Sequence, residues 1–366
     1  MRYLHRTPSF LITTIFSIFF IIYLIYAVWT TSRINIVLNE TPQRFAYSQI
    51  NPIVNNRNDY NSGRKPLLVS YDQIHKDFDK YSFKFSGDNA IIFLHIQKTA
   101  GTSFERFLVR KLNITAPCIC EHGQRRCDCR VIDNFGRKKI WLFSRYSTGW
   151  VDWACGLHAD FTKLIVVGCV DYYFKIKEGQ SKKRLYLTTF IREPVDRFIS
   201  EFSHVRRGAT WKSVKHFCQN ISNCFEFNST KNVELDEFLN CPNNLAFNRQ
   251  TRMLADLTLI GCNNLVFSYD NNSTFGQLML ESAKKNLLNN FAFFGIKERI
   301  KESQLLFENT FTLKFSDSLA TWNISKSSNI IVSVEQIALI NKKNQLDVEL
   351  YSFANNLFNQ RLKNLH

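Results

Sequence analysis

Residues 90–109 read AIIFLHIQKTAGTSFERFLV. Six residues from Ala90 to His95 form a short apolar run of the kind that fills a buried parallel strand. Seven residues of turn composition follow, from Gln97 to Ser103, and then Phe104, Phe107, Leu108 and Leu112 fall at helical spacing. Strand, tight turn and helix in that order make an anion-binding corner, because a helix N-terminus presents unpaired N–H groups and the positive end of its dipole. Gly101 permits close backbone approach, Lys98 supplies a full positive charge, and the hydroxyls of Thr99, Thr102 and Ser103 add donors. Thr102 and Glu105 have the spacing of a capping box, which predicts the helix start at this loop. The stretch is not a Walker A loop: G-x4-G-K-[ST] is missing, and Lys98 precedes the glycine. Taken alone, it also fits an ordinary capped turn with an exposed lysine.

A second corner lies farther along. Leu185–Ile191 reads as a strand and runs into Arg192-Glu193-Pro194, where Pro194 suits the first turn of a helix and Arg192 can grip a phosphate bidentately. On that helix Val195, Phe198, Ile199 and Phe202 share an apolar face, with Arg197, Ser200, Glu201 and His204 as the polar stripe. The competing reading pairs Arg192 with Glu193 or Asp196 and turns Ser200 to solvent. Leu164–Val170 reads as a further strand, and Leu346, Leu350, Phe353 and Leu357 as a packing helix near the C-terminus. The pattern predicts an α/β fold, a parallel sheet flanked by helices, over residues 88–366.

Upstream, Phe10–Trp29 is twenty positions without a charge, long enough to cross a bilayer as a helix. No good cleavage site follows, and Arg2, His5 and Arg6 crowd the N-terminal side. The expected organisation is a cytoplasmic tail (1–9), a transmembrane signal-anchor (10–29), a polar, Asn-rich lumenal stem (30–87) and the α/β domain (88–366), a type II arrangement. Sequons at Asn39, Asn113, Asn220, Asn228, Asn271, Asn272 and Asn323 all lie downstream of the span. Ten cysteines between Cys118 and Cys262 suit disulfides in an oxidising compartment; zinc at Cys118, Cys120, Cys127 and Cys129 is the minor alternative, since C-x-C spacing is tight for a structural site. A formal net charge of +16 points to a polyanionic partner. A lumenal location argues against nucleic acid and for a sulfated polysaccharide.

With these residues in hand, the chain resembles the heparan sulfate 6-O-sulfotransferases. The blocks that carry the likeness are LHIQKTAGTSFERFLV, WLFSRYSTGW, ACGLHADFTKL, IREPVDRFISEFSHVRRGATWK, NRQTRMLADLTLIGC and LESAKKNLLNNFAFFGIKE, which span nearly all of the expected catalytic domain. The resemblance implies a sulfotransferase, P-loop-like fold and a Golgi location. It implies 3′-phosphoadenosine 5′-phosphosulfate as donor, its 5′-phosphosulfate held by His95, Ile96, Gln97, Lys98, Thr99, Ala100, Gly101, Thr102 and Ser103. Arg192 and Ser200 would take the 3′-phosphate, and Thr321, Trp322 and Asn323 would lie near the adenine.

Sulfuryl transfer to an alcohol needs a base, and histidine is the natural one. His75, His95, His122, His158, His204 and His216 are the candidates on the residues alone; the resemblance selects His158, with Lys98 neutralising the departing phosphate oxygen. The likeness also implies acceptor contacts at Arg125, Arg126, Arg145, Trp153, His158, His204 and Trp211, heparan sulfate as acceptor, and no metal. The chain departs from the family's usual pattern at Ala100, where a glycine is expected, at Ser103, and at Phe161. About three extra residues precede the His158 block, so Trp150 competes with Trp153. A sulfotransferase for another glycan hydroxyl and an inactive glycan-binding relative remain the alternatives.

Overall fold

A computed structural model describes residues 66–124, 126–147, 155, 158–179, 183–208, 224–225, 233–261, 270–322 and 330–365. The chain divides into units Met1–Gly63 and Arg64–His366, and the first lies outside the described residues, as does the expected span at 10–29. Among the described residues no helix is long and apolar enough to cross a membrane.

The second unit begins with β1 (Leu67–Leu68), α1 (Tyr71–Lys76) and α2 (Phe78–Tyr81). β1 pairs with a central strand of the sheet and Tyr71 and Ile74 are buried, so residues 66–87 belong to the folded domain rather than to a stem. Their polar composition hid this, because only a few apolar side chains dock them. β2 (Asn89–Phe93) leads through the turn at 94–100 into α3 (Gly101–Lys111) and then β3 (Leu112–Asn113). A hairpin of β4 (Arg130–Ile132) and β5 (Lys138–Ile140) precedes β6 (Leu142–Phe143). Disulfides Cys118–Cys129 and Cys120–Cys127 tie down the segment before the hairpin, so these thiols are cross-links and not zinc ligands.

Leu164–Val170 is not a strand. Thr162–Val166 is a π-helical turn and Cys169–Glu178 is α4, with Gly168 at φ 78° between them and Cys155–Cys169 as a cross-link. A short β-branched apolar run suits a buried helix as well as a strand, and here helical packing wins. β7 (Arg184–Ile191) then crosses the core and leads into α5 (Pro194–Arg206), with Pro194 at its first position. The remaining elements are α6 (Leu235–Asn240), α7 (Arg249–Leu254), α8 (Thr274–Asn289), β8 (Phe291–Ile296), α9 (Ile300–Phe311), β9 (Lys314–Phe315), which pairs with β3, α10 (Val334–Lys343) and α11 (Gln345–Lys363). Cys224 and Cys241 form a further disulfide.

Five strands make one all-parallel sheet. β7 pairs with β2 on one side, β2 with β6, and the other side of β7 takes β1 at its start and β8 at its end. Every residue of β2 and β8 is buried, as a parallel sheet covered on both faces requires. The Phe104 ring of α3 sits 4.7 Å from Phe190 and 5.3 Å from Phe307, locking the helix after β2 onto the sheet. Burying each such ring stabilises by about 2–3 kcal/mol. Gly295 leaves room for the Phe190 ring, into which a Cβ would run directly. β2 and β7 are neighbours running the same way, so both turns at their C-terminal ends open on one edge of the sheet, where open α/β folds bind ligands.

Candidate active site

The turn after β2 differs from the expected capping box. The N-cap of α3 is Ala100, in the left-handed conformation at φ 72°, and no side chain caps the helix. Lys98 is also left-handed, at φ 68°. Left-handed residues on either side of Thr99 curve the backbone into a concavity of the type that holds anions; no side chain caps the Gly101 and Thr102 N–H groups, while the Ser103 N–H donates back to the Ala100 carbonyl at 3.0 Å. The Thr99 hydroxyl donates to the Ile96 carbonyl at 3.1 Å, bracing the turn from inside. Gln97 is buried, yet neither its side-chain oxygen nor its nitrogen has a protein partner among the described residues. A buried amide of this kind costs free energy unless something else satisfies it, which fits a ligand seated in the turn.

Lys98 is partly buried. Desolvation lowers its pKa, Arg207, Arg192 and Arg197 lower it further, and Glu201 opposes them. Cations converging on one turn create a field suited to several negative charges. Arg192 closes the second corner: its Nη1 donates to the Lys98 carbonyl at 3.3 Å, joining the two turns. Asp196 at 3.4 Å and Glu298 at 3.8 Å also face this guanidinium, so the expected pairing with Asp196 coexists with the link to the loop. Ser200 is buried on the same helix, not turned to solvent. Behind Arg192, Gln250 takes both backbone groups of that residue, accepting from its N–H and donating to its carbonyl, each at 2.8 Å.

Of the polar stripe expected on α5, Arg197, Ser200 and Glu201 face inward, while His204 stays exposed. Arg197 and Glu201 are buried, and Arg249 binds Glu201 with Nε at 3.0 Å and Nη2 at 2.5 Å. Asp347 of α11 accepts from the backbone of Gln250 at 3.1 Å and of Thr251 at 2.7 Å, capping the short buried helix α7. Burial pushes the Glu201 carboxyl up, but Arg249 and Arg197 outweigh it and hold the pKa at about 2. Sequence reasoning missed this network. Its signal was present, since Glu201 lies between Phe198 and Val205 on the core-facing stripe.

His158 stands beside the loop. Its Nδ1 lies 3.4 Å from the His95 carbonyl oxygen, and its ring centroid is 5.0 Å from that of His95. A carbonyl can only accept, so Nδ1 carries the proton and Nε2 is left with a lone pair. Burial, with the charges of Arg145 and Arg249 adding to it and the bond to the His95 carbonyl opposing, holds the pKa well below the usual histidine value. The imidazole is therefore neutral at neutral pH, as a general base must be. His95 pairs through Nδ1 with Glu105, which is fully buried. The other Glu105 oxygen accepts from the Arg145 backbone N–H at 2.7 Å.

Arg145 lies partly buried, its guanidinium over the Tyr146 ring, while Arg126 lies in the disulfide-tied segment and His204 is exposed near the end of α5. Partial desolvation, then Lys98 and Arg207, lower the His204 pKa, which puts this imidazole near the loop's cations. Arg125, Trp150, Trp153, Trp211 and Asn323 lie outside the described residues, as do the side chains of Thr321 and Trp322. Among the described residues no group of three His, Cys, Asp or Glu side chains could hold a metal ion.

The sulfotransferase family model matches residues 81–354. The chain belongs to the sulfotransferase family. It is 43% identical over 301 residues to heparan-sulfate 6-O-sulfotransferase 1-B of Danio rerio, covering 80% of this chain and 71% of that protein. It is 44% identical to heparan-sulfate 6-O-sulfotransferase 1 of Cricetulus griseus over 289 residues, 76% of this chain and 69% of that protein. Against the Homo sapiens enzyme of the same name the figure is 43%, covering 76% and 68%. The donor of this sulfotransferase is 3′-phosphoadenosine 5′-phosphosulfate. Two anion corners on one sheet edge suit a donor that carries phosphates at two separated positions.

Proposed function

We propose that this sulfotransferase moves the sulfuryl group from 3′-phosphoadenosine 5′-phosphosulfate to the 6-O position of glucosamine residues in heparan sulfate, with His158 as general base and Lys98 assisting the leaving phosphate. The observation that carries the reading is the neutral His158, its Nδ1 on the His95 carbonyl at the edge of an uncapped, left-handed anion loop. The names of the relatives supply the acceptor. Nε2 of His158 takes the proton of the acceptor hydroxyl as that oxygen bonds to sulfur. The bond from sulfur to the bridging oxygen of the 5′-phosphate breaks, and Lys98 with the Gly101 and Thr102 N–H groups neutralises the charge that remains on the phosphate. Residues from His95 to Ser103 hold the 5′-phosphosulfate, Arg192 and Ser200 the 3′-phosphate, and Thr321 to Asn323 lie toward the adenine.

The acceptor groove draws on Arg125, Arg126, Arg145, Trp153, His204 and Trp211, cations for sulfates and rings for sugars. The chain is a single-pass type II protein of the Golgi membrane, with residues 10–29 as the span and the catalytic unit in the lumen. The four disulfides of the described residues support an oxidising compartment.

Incubating the full-length chain with labelled donor and desulfated heparan sulfate, followed by disaccharide analysis, tests the proposal. Label at glucosamine 6-O that disappears in His158→Ala is the expected result. Label on another hydroxyl would keep the enzyme and replace the acceptor, and no transfer despite donor binding would leave a glycan-binding protein.

A further inference from the structure

Glu105 lies on the apolar stripe of α3, beside Phe104 and Leu108, and is fully buried. A carboxylate at such a position costs several kcal/mol of desolvation unless both oxygens are satisfied. Both are, and each partner belongs to a different part of the site. One oxygen meets Nδ1 of His95, whose own carbonyl receives His158. The other receives the backbone N–H of Arg145, forty residues away in sequence, at 2.7 Å. Gly101, one turn before Glu105, lets the helix approach so closely that a Cβ there would stand 3.2 Å from the His95 ring. The helix that carries the anion loop is thus pinned to the residue that orients the base and to the segment that carries an acceptor cation.

We infer that Glu105 is a positioning residue for sulfuryl transfer: through His95 it fixes the carbonyl that orients His158, and through the Arg145 amide it fixes where the Arg145 guanidinium meets the acceptor. The inference rests on the proposed roles of His158 and Arg145. Its chemistry requires a carboxylate and not merely a polar side chain. A glutamine at this position can still accept from the Arg145 amide, but it turns an NH2 group toward His95 Nδ1 and forces the imidazole to give up the proton held there or to rotate away.

Glu105→Gln is nearly isosteric, so the test reads steady-state kinetics per donor-product binding site, titrated with 3′-phosphoadenosine 5′-phosphate. The expected result is a kcat at least ten-fold lower and an acceptor KM several-fold higher, with affinity for the donor product within two-fold of the parent. A merely structural role would lower Tm and the number of sites while leaving kcat and acceptor KM per site at parent values, and that outcome overturns the inference. Loss of donor-product affinity in place of kcat overturns it too, because Glu105 would then shape only the loop. Should the glutamine variant fail to fold, Glu105→Asp is read in the same way: it keeps the charge but, one methylene shorter, cannot span both partners. His158→Ala alongside separates the two ideas. Parent kcat in that variant sinks the base assignment whatever Glu105 does, whereas its inactivity beside an indifferent Glu105→Gln sinks this inference alone.

Discussion

The corner after β2 exposes main-chain amides and two left-handed residues, Lys98 and Ala100, and has no capping side chain. The corner after β7 presents a guanidinium, Arg192, whose backbone is clamped by Gln250 in front of a buried network of Arg197, Glu201, Arg249 and Asp347. One corner stores backbone strain in two left-handed residues; the other spends buried ion pairs to keep one side chain in place. The contrast teaches that substitutions at the first should act on rate, and substitutions behind the second on stability.

The largest effect is expected behind the second corner. Glu201→Ala leaves Arg197 and Arg249 buried without their carboxylate and should cost about 3–5 kcal/mol of stability, read as a fall in Tm or in the urea midpoint. The same carboxyl gives a pH signature. Its folded pKa of about 2 lies below its ordinary value of 4.5, so its stabilisation is complete above about 4.5 and is lost as pH falls toward about 2. A variant that loses activity but keeps its urea midpoint would break the comparison. At the first corner, Lys98→Ala should lower kcat by about 10²–10³ with little change in Tm, the magnitude typical of removing one charge-stabilising group.

Gly101→Ala should lower kcat by about ten-fold, because a Cβ 3.1 Å from the Phe93 ring and 3.2 Å from the His95 ring displaces the histidine whose carbonyl orients His158. The pH–rate profile sharpens the same point. Since His158 titrates well below 6.5, kcat/KM should hold as pH drops through 6.5 and fall only at lower pH, where the base gains its proton. A profile that breaks at 6.5 would place the base elsewhere. The smallest effect is expected for Ala100→Gly. Relief of φ 72° is worth about 1–2 kcal/mol, offset by about 0.5–1 kcal/mol of added unfolded-state entropy, so Tm should rise slightly.

Much of this site is legible along the chain. The buried strand before Lys98, the glycine, and Pro194 at the start of α5 are local signals, and the structure has them where the spacing puts them. The errors are equally physical. The Thr102–Glu105 spacing matches a capping box, yet burial beside His95 draws Glu105 into the core and leaves the helix end open. Leu164–Val170 has strand composition, but its neighbours pack it as helix. Residues 66–87 look like linker, although β1 extends the sheet.

The sequence by itself determined the two strand-to-helix corners and the family, because period, turn chemistry and long matching blocks are carried by neighbouring residues. Only the tertiary structure decided that His158 meets the carbonyl of His95, 63 residues earlier, and that Glu105 holds Arg145. It also decided which cysteines pair within the closely spaced group from Cys118 to Cys129. Contacts of that range depend on how the parallel sheet brings distant strand ends to one edge and on which polar groups burial forces into partnership, and neither is written in local spacing.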